Sequence, residues 1–143
     1  MNTHVDSVLV PTDGSPLSRD ALEYAMAVHP AATLTLLHVI DYVEEIRIAE
    51  AMAGFEELHK RSTHRATELL TEMRAAASDH EGEVRTDYGF GKPAREIAGY
   101  ADEHDIDLVV MGSHGRSGLQ RVVLGSVTQG VLKRVAVPVT VVR

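Results

Sequence analysis

The chain has 143 residues, 44% of them hydrophobic and 24% charged, with a formal net charge of −7 and no cysteine. A globular composition at the length of one ordinary domain excludes a fibrous or disordered chain; the missing thiols exclude disulfides and thiolate metal sites, and the acid excess argues against nucleic-acid binding. The N-terminus lacks a basic region ahead of an apolar core, and no apolar stretch nears the ~18 residues of a membrane span, so a cytoplasmic protein with one domain over 1–143 and no membrane contact is expected.

The first apolar run, Ser7 to Pro11, ends at a proline and is followed by "TDGSP", which reads as a strand leaving into a turn. Ser15 then stands as an N-cap with Pro16 at the first helical position, and Leu22, Ala25, Met26 and His29 recur at helical spacing, predicting a helix over about 16–29. Thr33 to Ile40, "TLTLLHVI", is a second buried strand. From about Ala49 to Ala77 a stripe including Met52, Phe55, Leu58, Ser62, Ala66, Leu70 and Met73 predicts one long amphipathic helix. Glu83 to Tyr88 alternates weakly, as an edge strand does, and Pro93 opens a helix carrying Ala94, Ile97, Ala98 and Ala101 on one face. Asp107 to Gly112 is a fourth, continuous apolar strand. Val127, Val131 and Val135 mark the last helix, with Lys133 and Arg134 near its negative end, and "VPVTVV" closes the chain as a fifth strand.

Five alternations of strand and helix predict an open α/β sandwich: a five-stranded parallel sheet, order 3-2-1-4-5, with helices on both faces in the Rossmann-like manner. In such sheets ligands lie beyond the carboxyl ends of the strands where the order reverses. That point falls between strands 1 and 4, so the loops "PTDGS" and "GSHGRSG" become neighbours.

Charge is distributed unevenly along this order. Residues 108–143 carry five basic side chains and no Asp or Glu, and within them lies "MGSHGRSGLQRVVLGS", Met111 to Ser126. Gly112, Gly115, Gly125 and Ser126 form a G-x2-G-x9-G-S pattern. Glycines let backbone amides approach an anion closely, and residues 125–127 lie where the last helix begins, so free donors and the positive dipole end converge there. A phosphate chain suits that environment; glycines that only make turns fit the spacing equally well.

Four blocks, "VLVPTDGSPLSRDALEYA", "LTLLHVID", "DLVVMGSHGRSGLQRVVLGSV" and "VPVTVV", resemble the universal stress protein family in order and spacing, over the whole chain. The G-x2-G-x9-G-S pattern is similar to the ATP-binding signature of one branch of that family. The resemblance implies that Pro11, Thr12 and Asp13 line the adenosine end, with Asp13 near the ribose or adenine, and that Val39 presents backbone to the adenine. It places Met111 and Gly112 beneath the ribose, and Gly115, Arg116, Gly125, Ser126 and Val127 around the phosphates. Ser117 and Gly118 sit in the same loop. ATP is the implied ligand, with Mg²⁺ bridging its phosphates through waters rather than in a protein cage, and the implied assembly is a homodimer through the last strand.

Each of these residues also has a plainer reading. Asp13 suits an Asp-Gly turn, Ser126 a helix cap, and His38 a strand-end hydrogen bond. Stronger chemistry is missing: the sequence has no GxxxxGK[ST], no GxGxxG, no GxSxG and no HExxH, while His59 and His64, five apart on a helix, diverge. The leading expectation is a nucleotide-binding regulatory or stress-tolerance module. The alternatives are a slow ATP hydrolase or phosphoryl donor, and a nucleotide-free interaction dimer.

Overall fold

The computed structural model describes residues 4–43, 46, 54–114 and 124–143. Five strands, β1 (Ser7–Pro11), β2 (Thr33–Ile40), β3 (Val84–Phe90), β4 (Leu108–Gly112) and β5 (Val139–Val142), alternate with helices α1 (Pro16–Val28), α2 (Phe55–Ala76), α3 (Pro93–Glu103) and α4 (Ser126–Arg134). The strands form one parallel sheet in the order β3-β2-β1-β4-β5, as the alternation predicts.

Strand alternation sorts the core into two layers. Val8, Val10, Leu34, Leu36, Leu108 and Val110 pack with Ala21, Leu22 and Ala25 of α1 and Leu70 and Met73 of α2. Leu9, Leu37, Val109 and Met111 point the other way, onto Ile97 and Ala101 of α3 and Val131 of α4. Gly130 permits the close crossing of α4 over α3, since a Cβ there would stand 2.6 Å from that of Ala94.

Most predicted boundaries agree with the structure to within two residues, with three informative differences. β3 runs on through Gly89 and Phe90, two residues past the predicted end at Tyr88, because β2 extends equally far and pairs Val39 with Gly89 and Ile40 with Phe90. The turn falls at Gly91, whose φ of 139° suits glycine. β5 begins at Val139, and the Pro138 carbonyl accepts the Val109 amide at 3.0 Å. The cap of α4 is Gly125, so Ser126 is the first helical residue and not the N-cap. The long helix is described from Phe55 onward, and the predicted start at Ala49, with Met52, lies outside the described residues.

One register difference positions the site. β1 pairs with β2 from Ser7↔Thr33 to Pro11↔Leu37, whereas its pairing with β4 covers only Val8↔Leu108 and Leu9↔Val109. Hydrogen bonds from the chain around Asp6 and Ser7 show that odd-numbered β1 residues face β4, so Pro11, with no N–H to offer, faces β4 where the two strands have already parted. The sheet opens there.

Candidate functional site

The opening is a cleft of about 310 Å³ at the carboxyl ends of β1, β2 and β4. Pro11, Thr12 and Asp13 form one wall, and Leu37, His38, Val39 and Asp41 a second. Pro93 and Ile97 of α3, Met111, Gly112 and His114 after β4, and Val127 and Thr128 of α4 complete it. The lining is mostly apolar with a few polar side chains, the usual make-up of a small-molecule site.

The β1–α1 loop is tied by its own side chains. Thr12 is buried, 5% exposed; its amide donates to the Leu37 carbonyl at 2.8 Å. Its hydroxyl donates to Ser18 Oγ at 3.0 Å and accepts from the Gly14 amide at 3.3 Å. Asp13 Oδ1 accepts the Ser15 amide at 2.9 Å, the turn role an Asp-Gly pair favours, and Gly14 takes a φ of 81°. Ser15 Oγ caps α1 through the Ser18 amide at 3.3 Å.

At the end of β2 the pairing alternation turns Val39 toward β1. The ladder would next join its amide to the Thr12 carbonyl, but that carbonyl receives the His38 ring, Nδ1 at 2.8 Å. His38 therefore fixes the loop to the strand, and the tautomer with the proton on Nδ1 follows from an acceptor that has none to give. The Val39 backbone, beyond the last β1 pair, borders the cleft.

The fourth side is the start of α4. Gly125 is buried against His114: a Cβ on it would meet His114 Cα at 3.1 Å and Cβ at 3.3 Å, and its amide donates to the Ser113 carbonyl at 2.7 Å. That amide is spent on the fold, contrary to the expectation that it points at a phosphate. The Gln129 amide closes the first helical turn on the Gly125 carbonyl at 3.0 Å, so the amides of Ser126, Val127 and Thr128 are the ones the helix cannot satisfy internally. The Thr128 hydroxyl donates to the Gly112 carbonyl at 2.9 Å and holds this turn against the end of β4.

Seven of the sequence-derived residues thus line one cleft: Pro11, Thr12, Asp13, Val39, Met111, Gly112 and Val127. Ser126 is exposed and lines an adjoining hollow, and Gly125 lies behind the rim. Gly115 and Arg116, with Ser117 and Gly118, lie outside the described residues. Leu37, Asp41, Pro93, Ile97 and Thr128 were missed. Ile97 and Leu37 read as core residues in sequence, and they are core residues whose outer ends meet the cleft. Thr128, a polar residue on the buried side of a helix, and Asp41, an acid directly after a buried strand, carried a signal of their own.

Among the described residues no group of three His, Asp or Glu side chains is placed to hold a metal ion, and no helix is long and apolar enough to cross a membrane. His64 pairs with Glu68 at 3.1 Å on the surface, while His59 meets the Tyr42 hydroxyl and stacks on Phe90.

The profile of the universal stress protein family matches residues 4–143. The universal stress protein MJ0577 of Methanocaldococcus jannaschii is 31% identical over 100% of this chain and 98% of its own. The solved structure of MJ0577 superposes with a TM-score of 0.83, covering 96% of this chain and 95% of that one at 33% identity. Two more distant solved structures share the fold. One is a universal stress protein in complex with cAMP, 23% identical, TM-score 0.70, covering 97% of both chains. The other is the universal stress protein of Archaeoglobus fulgidus in complex with dAMP, 18% identical, TM-score 0.67, covering 99% of this chain and 100% of that one. The chain belongs to the universal stress protein family.

Proposed function

We propose that this chain is an ATP-binding regulatory module of that family, acting in stress tolerance as a homodimer. The observation that carries the reading is the cleft itself: an apolar slot between Val39, Ile97 and Met111 leads to the unsatisfied amides of α4, a slot for a flat base beside donors for phosphate. Asp13 borders the ribose in this reading, and Met111 and Gly112 lie under it. Ser126 and Val127 meet the phosphates by backbone amide, with Gly115 and Arg116 closing over them. Gly125 acts indirectly, by letting α4 begin this close to β4. That relatives of the same fold are complexed with cAMP and dAMP supports an adenine nucleotide as the ligand class. Any Mg²⁺ would be held by phosphate oxygens and water rather than by a protein cage.

The dimer reading rests on the two sheet edges. The β3 edge exposes Arg85, Asp87 and Tyr88, whereas all four β5 residues, Val139 to Val142, are half-buried and apolar or β-branched. An apolar edge strand is the one that gains from a partner.

Turnover is expected to be slow. Phosphoryl transfer at ~1–100 s⁻¹ needs an oriented nucleophile, a metal clamp and a cation at the developing charge. Backbone amides hold substrate and transition state nearly alike, which gives affinity without speed. Among the described cleft residues the ionisable side chains are Asp13, His38, Asp41 and His114; Asp13 and His38 are engaged in the loop, and Asp41 Oδ1 accepts the Val43 amide at 3.1 Å. Calorimetric titration with ATP, with mass spectrometry of nucleotide retained through purification, tests the binding. Saturable ATP binding with turnover below that range is expected. No binding of any adenine nucleotide contradicts the module, and turnover within that range replaces it with an enzyme.

A further inference from the structure

Beside the cleft lies a second hollow of about 410 Å³. Asp41, Pro93 and Val127 line both, so the two share a rim at the start of α4. The second hollow differs in charge: Lys92, Arg95 and Arg134 line it against the single carboxylate of Asp41, in a chain of net charge −7.

Helix stability does not account for two of these cations. Lys92 is the N-cap of α3 and makes no side-chain cap bond, and Arg95 stands in the first turn of that helix, the end where a positive charge is disfavoured. Neither forms an ion pair among the described residues. The carboxylate of the same turn, Glu96, does not neutralise them, because it folds back over Gly91. Arg134, by contrast, suits the last turn of α4, and its Nη1 donates to the Gly130 carbonyl at 3.3 Å. Asp41 is itself engaged with the Val43 amide. The unspent charge is therefore positive, and Ser126 and Val127, at the amides read above as phosphate donors, form the border of the hollow.

We infer that this basic hollow receives the terminal phosphates of a nucleoside triphosphate, so that Lys92 and Arg95 set the preference for triphosphate over monophosphate. The inference rests on the nucleotide reading and goes beyond it by assigning phosphate-count selectivity to side chains of α3. A phosphate chain anchored at the start of α4 has its inner phosphate on the amides and its outer ones beside three cations, where charge-assisted bonds are stronger than neutral ones.

The test is calorimetry with ATP, ADP and AMP on the wild-type chain, on Lys92→Ala/Arg95→Ala, and on Lys60→Ala/Arg61→Ala, a charge-matched control on the exposed face of α2. The α3 pair is expected to weaken ATP by about tenfold or more, to leave AMP within about twofold, and to reduce the salt dependence of ATP binding. The α2 pair is expected to leave the ATP-to-AMP ratio unchanged. Equal weakening of ATP and AMP, an unchanged ratio in the α3 variant, or the same loss in the α2 control overturns the inference while the nucleotide reading stands. A wild-type chain that binds none of the three removes that reading and the inference with it.

Discussion

The two loops that face each other across the cleft are made of the same residue types, and they use them in opposite ways. Between β1 and α1, Thr12, Asp13, Ser15 and Ser18 satisfy one another and the local amides. That loop is a finished wall. At the start of α4, Gly125 spends its amide on Ser113 and thereby places a helix end whose next three amides have no internal partner. Ligand affinity comes from donors left over after the fold is made, so the second loop is the one able to hold an anion while the first sets the shape of the space.

Breaking the open side has the largest effect. Gly125→Val drives a Cβ to 3.1 Å from the His114 backbone, pushing α4 away from β4. ATP affinity is expected to fall about 100-fold, the loss of one or two charge-assisted bonds, with adenosine affected less. Equal loss for ATP and adenosine, by calorimetry on folded protein, would show that the helix end does not hold phosphate.

Breaking the closed side should act on stability first. Thr12→Val keeps the shape but strands the Gly14 amide and removes the bond to Ser18, at a cost of about 1–3 kcal/mol in denaturant unfolding. The ATP-to-adenosine affinity ratio is expected to stay within about threefold of wild type; a change in that ratio larger than the change in stability would make Thr12 a ligand and not a wall.

Asp13→Asn sharpens the contrast, because the amide oxygen can still accept from Ser15. Stability is expected to shift by less than about 0.5 kcal/mol. A drop comparable with that of Thr12→Val would mean that the negative charge, and not the turn geometry, holds the loop.

The smallest effect is a reference titration outside both loops. The Tyr100 hydroxyl is pushed up to about 12, first by burial, then by its hydrogen bond to Asp87 at 3.0 Å and by that carboxylate's charge. Its folded value lies above the ordinary value of 10.0, so the folded chain keeps a proton that the unfolded chain loses. The resulting stabilisation is complete below pH 10 and declines as pH rises toward 12. Ultraviolet titration should show one late tyrosine that Tyr100→Phe removes and that ATP does not move. Ionisation of all tyrosines near pH 10 contradicts that assignment.

The architecture was legible because each element carries its own period: the apolar strands, the stripe of α2, and Pro16 and Pro93 at helix starts. The end of β3 was not, since its alternation is weak and Gly89 and Phe90 are kept in the strand by their partners Val39 and Ile40 across the ladder. The site was legible as two loops, but its allocation of donors was not. Whether the amide of Gly125 or those after it remain free depends on the Ser113 carbonyl, twelve residues upstream, and the freedom of Val39 depends on where the His38 ring turns. Such partners are fixed by tertiary structure and leave no local signal. The walls Leu37 and Ile97 stayed hidden for a related reason: a core residue and a cleft residue differ only in where the sheet opens.

The most direct measurement follows the backbone amides by nuclear magnetic resonance as ATP is added. The largest shifts are expected at Ser126, Val127 and Thr128, with a second set at Val39, while the amides of Thr12, Gly14 and Ser15 move little and adenosine reproduces only the Val39 set. If ATP instead shifts the β1–α1 amides most, or leaves Ser126 to Thr128 in place while binding, the start of α4 is not the phosphate site and the division between a closed wall and an open helix end is wrong.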